Sequence, residues 1–159
     1  MRLFSGLAFL LSILLFTSSS VAQAADVNKI TIPGPVMVPD NYSGVTYNTT
    51  GVVTTGTNRN YRSLISAAEG EDYNYIEVAG NTPSNAGSIT AYLRLLRNGS
   101  IVQLGYATLP KATYGKVRVS FPSYEHQNGD ALFLVVVVQA YNSSSTACVL
   151  SSVSIGYQE

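Results

Sequence analysis

The sequence predicts an all-β protein, a single β-sandwich of jelly-roll or Greek-key type behind a cleaved signal peptide. Three observations carry this. Apolar residues alternate at period two along the body of the chain, without a 3.6-residue apolar period framed by helix caps. Turn residues interrupt that alternation at short intervals, and two of the interruptions are Asn-Gly pairs. One run, Leu132–Val138, is apolar throughout, which fits a strand covered on both faces. With 46% hydrophobic residues in 159, one domain can bury a core without help.

The elements follow in chain order. Arg2, the apolar run Leu3–Phe16 and the small-residue site Ala22-Gln23-Ala24 make a secretory signal peptide over residues 1–24. The run is shorter than the roughly 20 residues a membrane-spanning helix needs, so the mature chain has no membrane span. Val27, Ile30 and Ile32 alternate in a short strand that stops at Pro33-Gly34-Pro35. Val36 and Val38 continue extended to Pro39-Asp40, so residues 25–40 read as a strand and a proline-stiffened spacer ahead of a sandwich over 41–159. Val45–Tyr47 and Gly51–Thr55 are strands split by an Asn48-Thr49-Thr50 turn, and Tyr61–Ser66 is strand or helical turn. Asn74–Ala79 is a strand with Tyr73, Tyr75, Glu77 and Ala79 on one face and Ile76 and Val78 on the other.

Ile89, Ala91, Leu93 and Leu95 alternate with Thr90, Tyr92 and Arg94, and Asn98-Gly99 turns the chain into Ile101–Thr108. The second Asn-Gly, Asn128-Gly129, predicts a hairpin between Lys116–Phe121 and Ala131–Tyr141. Val149, Ser151, Val153 and Ile155 alternate to the end. The expected core is Leu93, Leu95, Val117, Val119, Phe121, Leu134, Val136, Val153 and Ile155.

Composition narrows the function. Nine basic and nine acidic residues cancel, which removes the electrostatic footprint of a nucleic-acid binder. Catalytic equipment is sparse. His126 is the one histidine, it lies in a turn-like stretch that reads as exposed, and no nucleophile elbow accompanies it. One His and one Cys cannot build a His/Cys zinc site. Cys148 reads as a buried apolar residue in a strand. No catalytic or cofactor-binding residues are assigned. The one metal reading is a calcium site at Glu69, Glu71 and Asp72, because clustered loop carboxylates suit an ion that takes several oxygens. Sequons at Asn41, Asn48, Asn98 and Asn142 fall in turns, where a glycan acceptor must be exposed.

Two non-enzymatic readings follow. The first is a secreted subunit of an extracellular fibre, pilus-like filament or matrix at the cell surface, self-associating into a homopolymer. Val27, Ile30 and Ile32 would then complete a neighbour's sheet by donor-strand exchange. The alternative is a secreted β-sandwich module that binds carbohydrate or a cell surface. Eleven tyrosines offer flat apolar area with a hydroxyl for such contacts.

Overall fold

The computed structural model describes residues 28–55, 58–83, 87–140 and 147–158. Within them the chain is a sandwich of two antiparallel sheets, as the alternation requires. The strands are β1 (Asn28–Pro33), β2 (Val38–Pro39), β3 (Val45–Asn48), β4 (Gly51–Thr55), β5 (Arg59–Leu64) and β6 (Asp72–Thr82). Then come β7 (Gly87–Arg97), β8 (Ser100–Leu109), β9 (Thr113–Glu125), β10 (Ala131–Ala140) and β11 (Ala147–Gln158). One sheet runs β3-β4-β11-β6-β9 with β1 beside β11, and the other runs β2-β5-β10-β7-β8. From β4 onward the chain changes sheet at every connection except the β7–β8 hairpin. Each sheet therefore contributes one inner face to a common core. Leu93, Leu95, Leu134, Val136, Val153 and Ile155 are buried there as expected.

At Asn98-Gly99 both φ angles are positive (50° and 76°), the geometry of the expected two-residue hairpin turn. Asn128-Gly129 differs. Only Gly129 has positive φ, at 89°, and Asp130 N–H donates to the Gln127 carbonyl at 3.1 Å. The strands it joins lie in different sheets, so this turn is a corner rather than a hairpin.

Two further expectations need correction. A β-bulge between Tyr73 and Tyr75 shifts the phase of β6, so Tyr73 joins Ile76 and Val78 in the core while Tyr75 and Glu77 take the outer face. Val119 is 39% exposed, because among the described residues β9 is the last strand of its sheet and pairs only with β6. Val117 and Phe121 on the same strand are partly buried against the core. Tyr61–Ser66 resolves as strand, β5, with Tyr61 fully buried. Its hydroxyl meets Thr54 Oγ1 at 2.5 Å across the core, so each buried hydroxyl satisfies the other and the two sheets are tied together.

The N-terminal strand is seated in its own domain. β1 pairs antiparallel with β11, setting Ile30 opposite Ile155 and Ile32 opposite Val153, and Ile32 is buried. Val27 lies outside the described residues. The proline segment that reads as a spacer makes a 3-10 turn at Gly34–Val36 and carries the chain from β1 in one sheet to β2 in the other. Residues 1–24, the expected signal peptide, also lie outside the described residues.

Candidate functional site

The outer faces of the two sheets differ in kind. On the six-stranded sheet the outer face closes on itself. Arg118 Nε donates to Glu77 Oε2 at 3.0 Å, Lys116 Nζ lies 3.5 Å from the same oxygen, and the Thr31 and Ser154 hydroxyls bond at 2.9 Å. Tyr75 lies flat over Gly156 with the Arg118 guanidinium 4.1 Å above its ring. Each cation and hydroxyl of this group has a partner, which is how a polar sheet face sits in water.

The outer face of the five-stranded sheet is open and apolar at its centre. Strand β10 pairs on both sides, with β5 and β7. Its run Leu132–Val138 sends Leu132, Leu134, Val136 and Val138 into the core and turns Phe133, Val135 and Val137 to the outer face, where Val135 is itself covered by its neighbours and Phe133 and Val137 are half-buried. Register builds the rest. Val38, Arg62, Val135, Tyr92 and Tyr106 stand side by side across all five strands. The next row along is Leu64, Phe133, Arg94 and Gln103, and on the opposite side it is Asn60, Val137, Thr90 and Thr108. Val36 and Val38 wall one side and Ile101 closes an end, enclosing a groove of about 970 Å³. That volume lies within the range of ordinary ligand sites. The Tyr92 and Tyr106 rings sit 5.9 Å apart at a 30° tilt, and Arg94 stacks over Tyr92 at 5.3 Å. Leu64, Ile101 and Tyr106 are 81%, 62% and 53% exposed, so the rim is apolar surface in contact with water.

The residues singled out from sequence fall elsewhere. Among the described residues, Glu69, Glu71 and Asp72 included, no group of three or more His, Cys, Asp or Glu is placed to hold an ion. Glu71 is occupied internally, its Oε2 accepting Ala68 N–H at 2.8 Å and the Tyr73 hydroxyl. Burial, reinforced by that hydrogen bond, pushes the Tyr73 hydroxyl pKa well up. His126 is buried rather than exposed, at 7%. The reason is a short loop pairing, in which His126 N–H donates to the Glu71 carbonyl and Gly70 N–H to the His126 carbonyl, both at 2.9 Å. Its Nε2 lies 3.3 Å from the Asp130 carbonyl, and Nδ1 has no hydrogen-bond partner among the described residues. Cys148 is fully buried, and burial pushes its thiol pKa up to about 11. Asn41, Asn48 and Asn98 are exposed, Asn48 as the last residue of β3 and Asn98 in the β7–β8 turn, and Asn142 lies outside the described residues.

A second polar cluster at the sandwich end is structural. Arg97 donates to both Asp130 oxygens, at 2.7 and 2.6 Å, while the Tyr124 hydroxyl and Gln127 N–H also reach that carboxylate. It joins β7 of one sheet to β9 of the other through the Asn128-Gly129 corner. The Arg97 bonds hold the Asp130 carboxyl well below the usual carboxylate range, and burial pushes Tyr124 up to about 12. A depressed carboxyl stabilises the fold above its unfolded pKa near 3.9, and that contribution is lost as pH falls through the folded value. Thermal melts of Asp130→Asn should therefore show a lower melting temperature at pH 7 and a shallower loss below pH ~4 than the parent. Parallel melting curves at all pH values would remove Asp130 from that role.

No family model matches the sequence, and no curated protein matches it. The architecture is that of the β-sandwiches found in carbohydrate-binding modules. The chain superposes on the xylan-binding module CBM15 with a TM-score of 0.53 at 14% identity, covering 84% of this chain and 98% of that one. The CBM36-1 domain of a multidomain xylanase from the hindgut metagenome of Trinervitermes trinervoides gives 0.50 at 12% identity, over 83% and 99%. The C-terminal CBM6 of LamC, a marine laminarinase from Zobellia galactanivorans, gives 0.50 at 14% identity, over 80% and 98%. At these identities the likeness is one of fold. Among the described residues, no helix is long and apolar enough to cross a membrane.

Proposed function

We propose that this protein is a secreted, non-catalytic module that binds carbohydrate on the outer face of its five-stranded sheet. The observation that carries the reading is the groove over Phe133, Val135 and Val137, with the Tyr92–Tyr106 pair in register with Val135 on the same sheet face. Sugar rings present apolar faces and polar edges. Aromatic and aliphatic side chains accept the faces, while Asn60, Arg62 and Arg94 around the groove reach the hydroxyls. The shared fold of the carbohydrate-binding modules adds fold-level support. The signal peptide expected over residues 1–24 would send such a module outside the cell, where polysaccharides are met.

Affinity electrophoresis against a panel of neutral and acidic polysaccharides tests this. Tyr106→Ala should weaken retention by the bound polysaccharide about tenfold, matching ~1–1.5 kcal/mol for an aromatic contact. Its melting temperature should hardly move, since the ring is half in water. Absence of retention by every polysaccharide, or retention unchanged in the variant, would dismiss the groove as a glycan site.

The polymer reading has less support. Exchange of Val27, Ile30 and Ile32 between copies requires β1 to leave β11, where Ile32 is buried. We expect light scattering to report a monomer at high concentration, and a ladder of oligomers abolished by deleting residues 25–32 would restore the filament reading.

A further inference from the structure

Formal charge sums to zero over the chain, yet it is sorted between the sheets. The strands of the five-stranded sheet contain Arg59, Arg62, Arg94 and Arg97, and none of the chain's nine Asp and Glu residues lies in them. Arg97 is paired with Asp130. Arg59 turns away from the groove, its Nε donating to the Ser43 carbonyl at 2.9 Å. Arg62 and Arg94 remain, and among the described residues neither enters an ion pair.

These two flank the central strand. Arg62 is opposite Val135 on one side and Arg94 is opposite Phe133 on the other. Strand spacing and rise put their Cα atoms about 12 Å apart along a diagonal of the groove. Arg94 is braced over the Tyr92 ring. One carboxylate among the described residues is bonded to a side chain of this face: Asp40, which takes the Asn60 side-chain amide at 3.0 Å. The other sheet settles two of its outward cations, Lys116 and Arg118, on Glu77, while Lys29 on β1 makes no ion pair among the described residues. The groove has cations without that neutralisation, beside an apolar floor that lowers the local dielectric and strengthens any ion pair made there. A guanidinium fork matches a carboxylate in two parallel hydrogen bonds, which a neutral hydroxyl cannot offer.

We infer that the glycan of this groove is acidic, a polysaccharide bearing uronate carboxylates. Arg62 and Arg94 receive carboxylates of one chain while its sugar rings lie over Phe133, Val135 and the tyrosine pair. The inference rests on the glycan-binding reading above and adds the substrate class.

Calorimetric titration of the mature protein tests it, with polygalacturonate, alginate and glucuronoxylan each paired with its methyl-esterified form, and a neutral β-glucan. At least one acid form should bind about tenfold or more tighter than its ester, as loss of a charge-assisted hydrogen bond implies. Added salt should narrow that gap. The double variant R62Q/R94Q should keep its melting temperature and bind acid and ester alike. Equal affinity for acid and ester in the intact protein, or a preference for acid that survives in the double variant, overturns the acidic class and leaves the glycan reading standing. Binding to none of these polysaccharides, with binding to anionic phospholipid vesicles in their place, overturns both.

Discussion

Leu134→Ala is expected to cost about 2–5 kcal/mol of stability, while Val137→Ala, three residues along the same strand, should cost about 1 kcal/mol or less. Leu134 is fully buried, flanked in register by Ser63 and Leu93, and truncating it leaves a cavity between the sheets. Val137 belongs to the outer face, where water already reaches part of its side chain. For a domain of this size, each kcal/mol moves the melting temperature by roughly 3–5 °C, so thermal denaturation separates the two outcomes readily. Equal losses would mean that both faces of β10 are core, and the groove would disappear as a site.

That contrast also marks the limit of what the sequence discloses. An uninterrupted apolar run such as Leu132–Val138 signals a strand without a water-facing side, and the structure agrees that neither side is polar. What covers each side is a tertiary property. One face meets the inner side of the other sheet, and the other is the floor of a groove bordered by side chains of neighbouring strands, with no layer of secondary structure over it among the described residues. The alternation of Ile89–Leu95 does place Tyr92 and Arg94 outward, but it cannot tell which strand stands beside them. Arg62 came from a segment with mixed signals, and its position opposite Val135 depends on a pairing between residues far apart in sequence. A legible clue was the lack of Asp and Glu in every segment that became the five-stranded sheet. The acidic cluster at Glu69–Asp72 drew attention because charges are conspicuous in sequence, yet Glu71 serves its own loop. The turns were legible in identity and less so in role. Asn98-Gly99 closes a hairpin because both strands belong to one sheet, whereas Asn128-Gly129 has the same chemistry and joins two sheets. Face assignments failed on β6 because a bulge, invisible in the pattern of residue types, inserts one residue and reverses the phase.

Gly51→Ala is the other substitution expected to be severe, at about 2–5 kcal/mol, from two effects that coincide. Gly51 opens β4 at φ 156°, a conformation that L side chains rarely adopt. A Cβ there would stand 2.3 Å from the Leu150 carbonyl oxygen and 3.1 Å from Ser151 Cα. Both are backbone atoms, so no side-chain rotation relieves the contact. The site is also where β11 carries a bulge between Leu150 and Ser152, and where β4 gives way to β1 along the same strand. Gly34 approaches the same carbonyl, at 2.1 Å from its would-be Cβ, which leaves that oxygen little room to move. Gly99→Ala supplies the control. Gly99 has φ 76°, but nothing lies within 4 Å of its would-be Cβ, so its replacement costs only the backbone preference, about 1–2 kcal/mol. Chemical denaturation of the two variants should rank Gly51→Ala clearly below Gly99→Ala, with an unchanged m-value wherever the variant still folds. Equal midpoints would show that β11 yields at its bulge, and close packing of Gly51 against the Leu150 carbonyl would no longer explain why the chain places glycine there.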